Sequence, residues 1–169
     1  MRTLTLSVAL LALAGAGTGI ADAKAPKLVT ANVQAPDGLN VANATIKPVR
    51  SGLKVTVIAH NMAPGTHGVH IHTTGLCEAP GFVSAGGHWN PTNMHHGSMN
   101  PMGPHEGDLP NLVIGADGKG QVSYVIKHAT LAALLDTDGA AVVIHAGPDD
   151  LMTDPAGNSG GRIACGVLG

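Results

Sequence analysis

Ten histidines stand in a chain of 169 residues, and His70, His72, His88, His95, His96, His105 and His145 crowd two segments of it. In His70-Ile71-His72 the imidazoles sit two residues apart. On a strand, alternation puts both on one face, where they can share one ion. His88, His96 and His105 follow, with Asp108 just beyond, and His145 closes a separate apolar run. A set of solvated loop histidines is the plain alternative. Protonated imidazoles repel one another, however, and so dense a group rarely gathers without a metal to hold it. His70, His72, His88, His96, His105, His145 and Asp108 therefore point to a paired two-metal site.

The elements that must position these side chains read as strands. Residues 27–34 (KLVTANVQ) and 43–50 (NATIKPVR) alternate moderately, and 53–60 (LKVTVIAH) is β-branched with Lys54, Thr56 and Ile58 on one face. The stretch 68–72 (GVHIH) alternates cleanly. Short runs recur at 111–114 and 120–126, and 140–145 (AAVVIH) and 162–167 (RIACGV) complete the set. About eight short strands separated by Gly- and Pro-containing turns predict an antiparallel barrel or sandwich. Asp37-Gly38, Asp117-Gly118 and Asp138-Gly139 have the form of tight turns. Only 129–135 (ATLAALL) favours a short helical turn. Two long segments, 73–110 and 146–161, lack strand character and carry the residues of interest, as functional loops do.

Composition narrows the remaining possibilities. Aromatics make up 2% and charged residues 12%, beside 24 glycines and 11 prolines. Such a chain is turn-rich, and its core must come from Val, Ile, Leu and Ala. A net charge of −2 with no Lys/Arg cluster argues against nucleic acid. Met1-Arg2, the apolar run 4–16 and the small residues around 21–25 have the layout of a secretory signal peptide, residues 1–23 with cleavage as late as 25. A retained anchor is the alternative, but the run is short for a membrane span. One exported domain, 24–169, of about 145 residues remains, with no membrane span. In an exported chain the lone pair Cys77 and Cys165 most simply forms one disulfide, worth about 4 kcal/mol on the chain-entropy account. Two thiolate ligands are the rival reading, weakened because the imidazoles already supply a full set.

Four stretches carry a resemblance: Gly68-Val69-His70-Ile71-His72, Gly86-Gly87-His88-Trp89-Asn90-Pro91, His105-Glu106-Gly107-Asp108-Leu109 and Gly161-Arg162-Ile163-Ala164-Cys165-Gly166. In order and spacing they resemble the copper/zinc superoxide dismutases, and the short gap from His72 to Cys77 is similar to the bacterial, periplasmic branch. The resemblance implies an all-β fold, an eight-stranded Greek-key β-barrel flattened like an immunoglobulin sandwich, with two long loops over the metals. It implies Cu(II)/Cu(I) on His70, His72, His88 and His145, and Zn(II) on His88, His96, His105 and Asp108, with His88 shared. Imidazole sets suit Cu(II), and nitrogen donors plus one carboxylate suit Zn(II). Asp149 matches a carboxylate that links a copper histidine to a zinc histidine, a solvated acidic turn being the alternative. His67 matches a histidine that braces the barrel. His60, His95 and His128 read as surface positions.

The implied activity is conversion of two superoxide radicals to dioxygen and hydrogen peroxide. Arg162 and His88 are its catalytic residues, Arg162 docking the small anion with a fixed fork of donors. A surface ion pair is the alternative role for Arg162. A non-catalytic copper-binding or copper-buffering protein on the same barrel is the main rival. A hydrolytic zinc enzyme is disfavoured, since no base or nucleophile accompanies the cluster. By resemblance the protein is a monomer or homodimer. Trp89 and Ala156 depart from the family pattern, Ala156 replacing a threonine that narrows the channel to copper. Met94, Met99 and Met102 lie among His95, His96 and His105. Thioethers favour Cu(I), so this loop could help acquire copper, although incidental methionines in a mobile loop are the simpler account.

Overall fold

A computed structural model describes residues 27–169. The signal peptide expected at 1–23 lies outside the described residues. The strands are β1 (Val29–Gln34), β2 (Asn40–Val49), β3 (Gly52–Ala59), β4 (Gly65–His67), β5 (Val69–His72), β6 (Leu112–Ile114), β7 (Gly120–Lys127), β8 (Ala141–His145) and β9 (Arg162–Val167). All pairings between them are antiparallel. One helical turn, α1 (Leu131–Leu134), is capped by the Thr130 hydroxyl, which accepts from the Ala133 amide. No described helix is long and apolar enough to cross a membrane.

Seven strands form one sheet in the order β5-β8-β9-β1-β2-β3-β7, and β4 pairs with β6. The two pieces are parts of one curl. A tight turn, closed by the Gly115 amide on the Lys119 carbonyl, joins β6 to β7, and β4 runs through Gly68 into β5. The connections from β3 to β4 and from β7 to β8 pass between distant strands, the Greek-key pattern. The fold is thus all-β, a flattened antiparallel barrel of eight strands once β4 and β5 count as one interrupted strand. β4 is Gly65-Thr66-His67, three residues with no aliphatic side chain, so unlike the equally short β6 (Leu112-Val113-Ile114) it is not legible in the sequence.

Period-2 patterning explains where the core lies. On β3, Leu53, Val55, Val57 and Ala59 are buried, while Ile58 is exposed and Lys54 and Thr56 half-buried. Val69 and Ile71 of β5, with Val142 and Ile144 of β8, join the main core. Their neighbours His70, His72, Val143 and Ala141 point to the other face, yet every residue of β5 and β8 is buried. The two long loops cover that outer face, which is where the histidines are held.

Candidate metal centre

The free edge of β5 organises the first loop. The Ile71 amide donates to the Gly107 carbonyl at 2.9 Å, and the Ile71 carbonyl accepts from the Trp89 amide at 2.7 Å. These bonds lay short antiparallel bridges against the strand, His72 opposite His88 and His70 opposite Asp108. On the other edge, β8 pairs His70 with Val143 and His72 with Ala141. A shift in register at Ile144/His145 then turns His145 into the same space, opposite Arg162 of β9. Residues distant in sequence thus converge, and His70 and His88 stack with ring centroids 3.9 Å apart.

Each ring is aimed by the partner of its second nitrogen, as metal-binding imidazoles generally are. His72 donates from Nδ1 to the Gly86 carbonyl (2.9 Å), and His145 from Nδ1 to the Gly160 carbonyl (3.1 Å). A carbonyl can only accept, so both rings carry hydrogen on Nδ1 and keep a lone pair on Nε2. His70 is the mirror case, with Nε2 on Asp149 Oδ2 at 2.7 Å. His70 Nδ1, His72 Nε2, His88 Nε2 and His145 Nε2 are buried without any partner. Unpaired buried polar atoms are costly and uncommon. These four residues present ligand atoms that all lie within 4.8 Å of one another, a set shaped for one cation.

A second set surrounds Asp108 Oδ1, which lies 2.9 Å from His88 Nδ1, 3.1 Å from His96 Nδ1 and 3.2 Å from His105 Nδ1. His105 Nδ1 is 3.4 Å from His88 Nδ1. A tetrahedron of ligands about 2.0–2.1 Å from zinc has edges of roughly 3.4 Å, so the spacing fits that ion. His96 Nδ1 approaches Asp108 without hydrogen-bond geometry and is otherwise unpartnered. His70, His88, His96 and Asp108 also share a 4.8 Å neighbourhood, so the two sets interpenetrate. His105 stands beside this set, its Nδ1 near both Asp108 Oδ1 and His88 Nδ1. His88 alone turns one nitrogen to each set.

Asp149 joins the two sets. It is buried, with Oδ2 on His70 Nε2 and Oδ1 on His96 Nε2 at 3.0 Å. What holds it there is not legible from residue types. Asn111 clamps its backbone at both ends, donating to the Asp149 carbonyl and accepting from the Asp149 amide, each at 2.8 Å. Gly157, with φ +62°, supplies the space: a Cβ there would strike Asp149 Oδ1 and come within 2.7 Å of His96 Nε2. Asp154 accepts from the His96 amide (2.6 Å) and pairs with His95. Neither an asparagine nor a glycine advertises such a role by residue type.

Burial dominates the electrostatics of the first set. It lowers the pKa of His70 to about 4 and of His72 to about 2, and it lowers those of His88 and His145 as well. All four are therefore neutral ligands at pH 7. His96 goes the other way. Burial works against its charge, but the nearby Asp108 carboxylate and the hydrogen bond to Asp149 outweigh it and raise the pKa to about 9. Burial would raise Asp108 and Asp149, yet their hydrogen bonds to histidines hold both carboxylates below the usual range.

Arg162 is half-buried beside the first set. Its Nη1 donates to the Phe82 carbonyl at 2.7 Å and its Nη2 to the Gly86 carbonyl at 2.6 Å, the same carbonyl that orients His72. Among the described residues it has no carboxylate partner. Cys77 and Cys165 form a disulfide, with Cα atoms 5.6 Å apart. Around it Phe82, Ala85, Ala141 and Val143 make a small second core that pins the loop carrying Gly86. His67 is buried with Nδ1 on the His145 carbonyl at 2.8 Å. His95 and His128 are exposed and His60 half-buried, while Trp89 packs into the core and Ala156 is half-buried.

Fold and site define a β-barrel whose outer face carries two adjoining, histidine-rich metal positions. The family model for copper/zinc superoxide dismutase (SODC) matches residues 41–168. The chain belongs to that family, which uses copper and zinc. It is 48% identical over 123 residues to the superoxide dismutase-like protein YojM of Bacillus subtilis, a match covering 69% of this chain and 63% of that protein's length. It is 42% identical to a copper/zinc superoxide dismutase of Aquifex aeolicus, covering 78% and 81% of the two chains. Among solved structures, a double mutant of a SOD-like protein from Bacillus subtilis aligns with TM-score 0.78 and 44% identity, over 82% and 95% of the chains. The Brucella abortus copper/zinc superoxide dismutase aligns with TM-score 0.68 and 33% identity, over 84% and 99%.

Proposed function

We propose that the protein is an exported, periplasmic superoxide dismutase that converts two superoxide anions and two protons to dioxygen and hydrogen peroxide. In this reading His70, His72, His88 and His145 hold copper, and His88, His96, His105 and Asp108 hold zinc. Copper, when bound, supplies alternating one-electron oxidation and reduction of the substrate. The observation that carries the proposal is Arg162, a cation whose guanidinium is fixed by two carbonyls next to His72 and His145. Binding copper needs no such group, whereas capturing a small anion does.

The other residues divide the work. His88 can take a proton at Nε2 and pass it to the departing peroxide, while Asp108 keeps its Nδ1 side in place. His96, His105 and Asp108 tie the first loop together, and Asp149 keeps His70 and His96 in register. Ala156, a small residue in the second loop, is consistent with wider access for anions than a threonine allows. Export rests on the signal-like layout of residues 1–23.

A carrier or buffering role remains the second reading, favoured by the name of the 48% identical Bacillus relative, which is called superoxide dismutase-like. Arg162→Ala separates the two. For a dismutase, superoxide removal and its ionic-strength dependence both fall while copper and zinc stay bound. A carrier with stoichiometric copper shows no superoxide removal in either form.

A further inference from the structure

The chain has six methionines. Met1 opens it and Met62 is buried in the core, the usual place for this gap-filling side chain. The remaining four, Met94, Met99, Met102 and Met152, are all exposed, between 40% and 61%. They come from both long loops, and the fold gathers them. The His95 amide donates to the Met102 carbonyl at 2.9 Å, and the Met99 amide donates to the Leu151 carbonyl at 2.9 Å. One side-chain amide, that of Asn100, accepts from the Met102 amide (3.0 Å) and donates to the Met152 carbonyl (3.2 Å). Asn90 clasps both the amide and the carbonyl of Met94.

Four thioethers are thus rooted on a backbone that hydrogen bonds hold in place, while their flexible ends stay in solvent. The burial of apolar surface does not explain the arrangement, because none of the four is buried. Thioether sulfur is a soft ligand that selects Cu(I) over Zn(II) and over the hard cations. His95 adds an imidazole to the same surface, its Nδ1 paired with Asp154 and its Nε2 left for a ligand. The next residue, His96, is fully buried in the metal centre. We propose that Met94, Met99, Met102 and Met152, with His95, form a second, surface site for Cu(I), from which the buried centre is filled. The filling role rests on reading the four-imidazole group as the copper position; the Cu(I) site itself does not.

The test uses protein already loaded with one zinc and one copper, titrated anaerobically with Cu(I) against the chelator bicinchoninate. One further equivalent of Cu(I) per chain is expected. With methyl-labelled methionine, the resonances of the four surface residues should shift and that of Met62 should stay. The variant M94L/M99L/M102L/M152L should lose the extra equivalent, keep its zinc and copper, and fill the buried position several-fold more slowly at limiting Cu(I). The proposal is overturned if loaded wild type takes up no further Cu(I), if the variant takes up as much, or if Zn(II) binds the four thioethers equally well. Failure to load the buried copper at all would instead count against the reading of the main centre.

Discussion

His70, His72, His96 and His145 are each aimed by what the second ring nitrogen touches, and that is where single substitutions should act. Asp149→Asn leaves shape nearly unchanged but removes the charge that holds His70 and His96 together. Zinc affinity, measured by competition with a chromophoric chelator, should fall about 10–100-fold, the usual cost of losing such a partner. An unchanged affinity would mean the bridge is incidental. The pKa pattern makes a second prediction for the metal-free protein. His70 and His72, lowered to about 4 and about 2, stay neutral when folded but take protons below about 6.5 when unfolded. The unfolded state therefore binds more protons, and stability declines as pH falls from about 6.5 toward 4, by up to about 1.4 kcal/mol per pH unit for each such group. His96 has the opposite sign: its contribution is complete below about 6.5 and is lost as pH rises through about 9. Denaturant midpoints between pH 4 and 8 check this, and a flat profile below 6.5 would contradict it.

At the scale of elements, β5 is the organising piece, since β8 pairs with one edge and loop residues 87–89 and 107–109 with the other. The second loop depends on Gly157. Gly157→Ala must displace Asp149 and crowd His96, so it should reproduce the zinc loss of Asp149→Asn without replacing a ligand; normal zinc affinity would show that the loop can give way. The disulfide, spanning a sequence separation of 88, ties the first loop to β9. Replacing both Cys77 and Cys165 by serine should lower stability by about 4 kcal/mol on the chain-entropy account, read from denaturant unfolding. A loss under about 1 kcal/mol would place the loop's anchorage in its packing instead. Much of this was legible in the sequence. Alternation or a short apolar run marked every strand except β4, whose three residues stop just before Gly68. The histidines and Asp108 announced themselves by type and density. Asn111, Gly157 and the Gly86 carbonyl did not, because they act through backbone hydrogen bonds and absence of volume, which leave no trace in residue type.

For the whole molecule, a barrel with a packed interior leaves its chemistry to the outer face, under two loops that β5, the disulfide and Asp149 hold down. With a net charge of −2 the protein does not attract an anion as a whole, so under the proposed dismutase reading capture falls to the local field of Arg162. The most direct test is superoxide removal by the purified protein after residue 23, with copper and zinc counted before chelation, after it, and after copper is restored. Removal that follows copper content, vanishing on chelation and returning with copper while zinc stays in place, is the predicted result. One copper and one zinc per chain with no superoxide removal at any stage would contradict it.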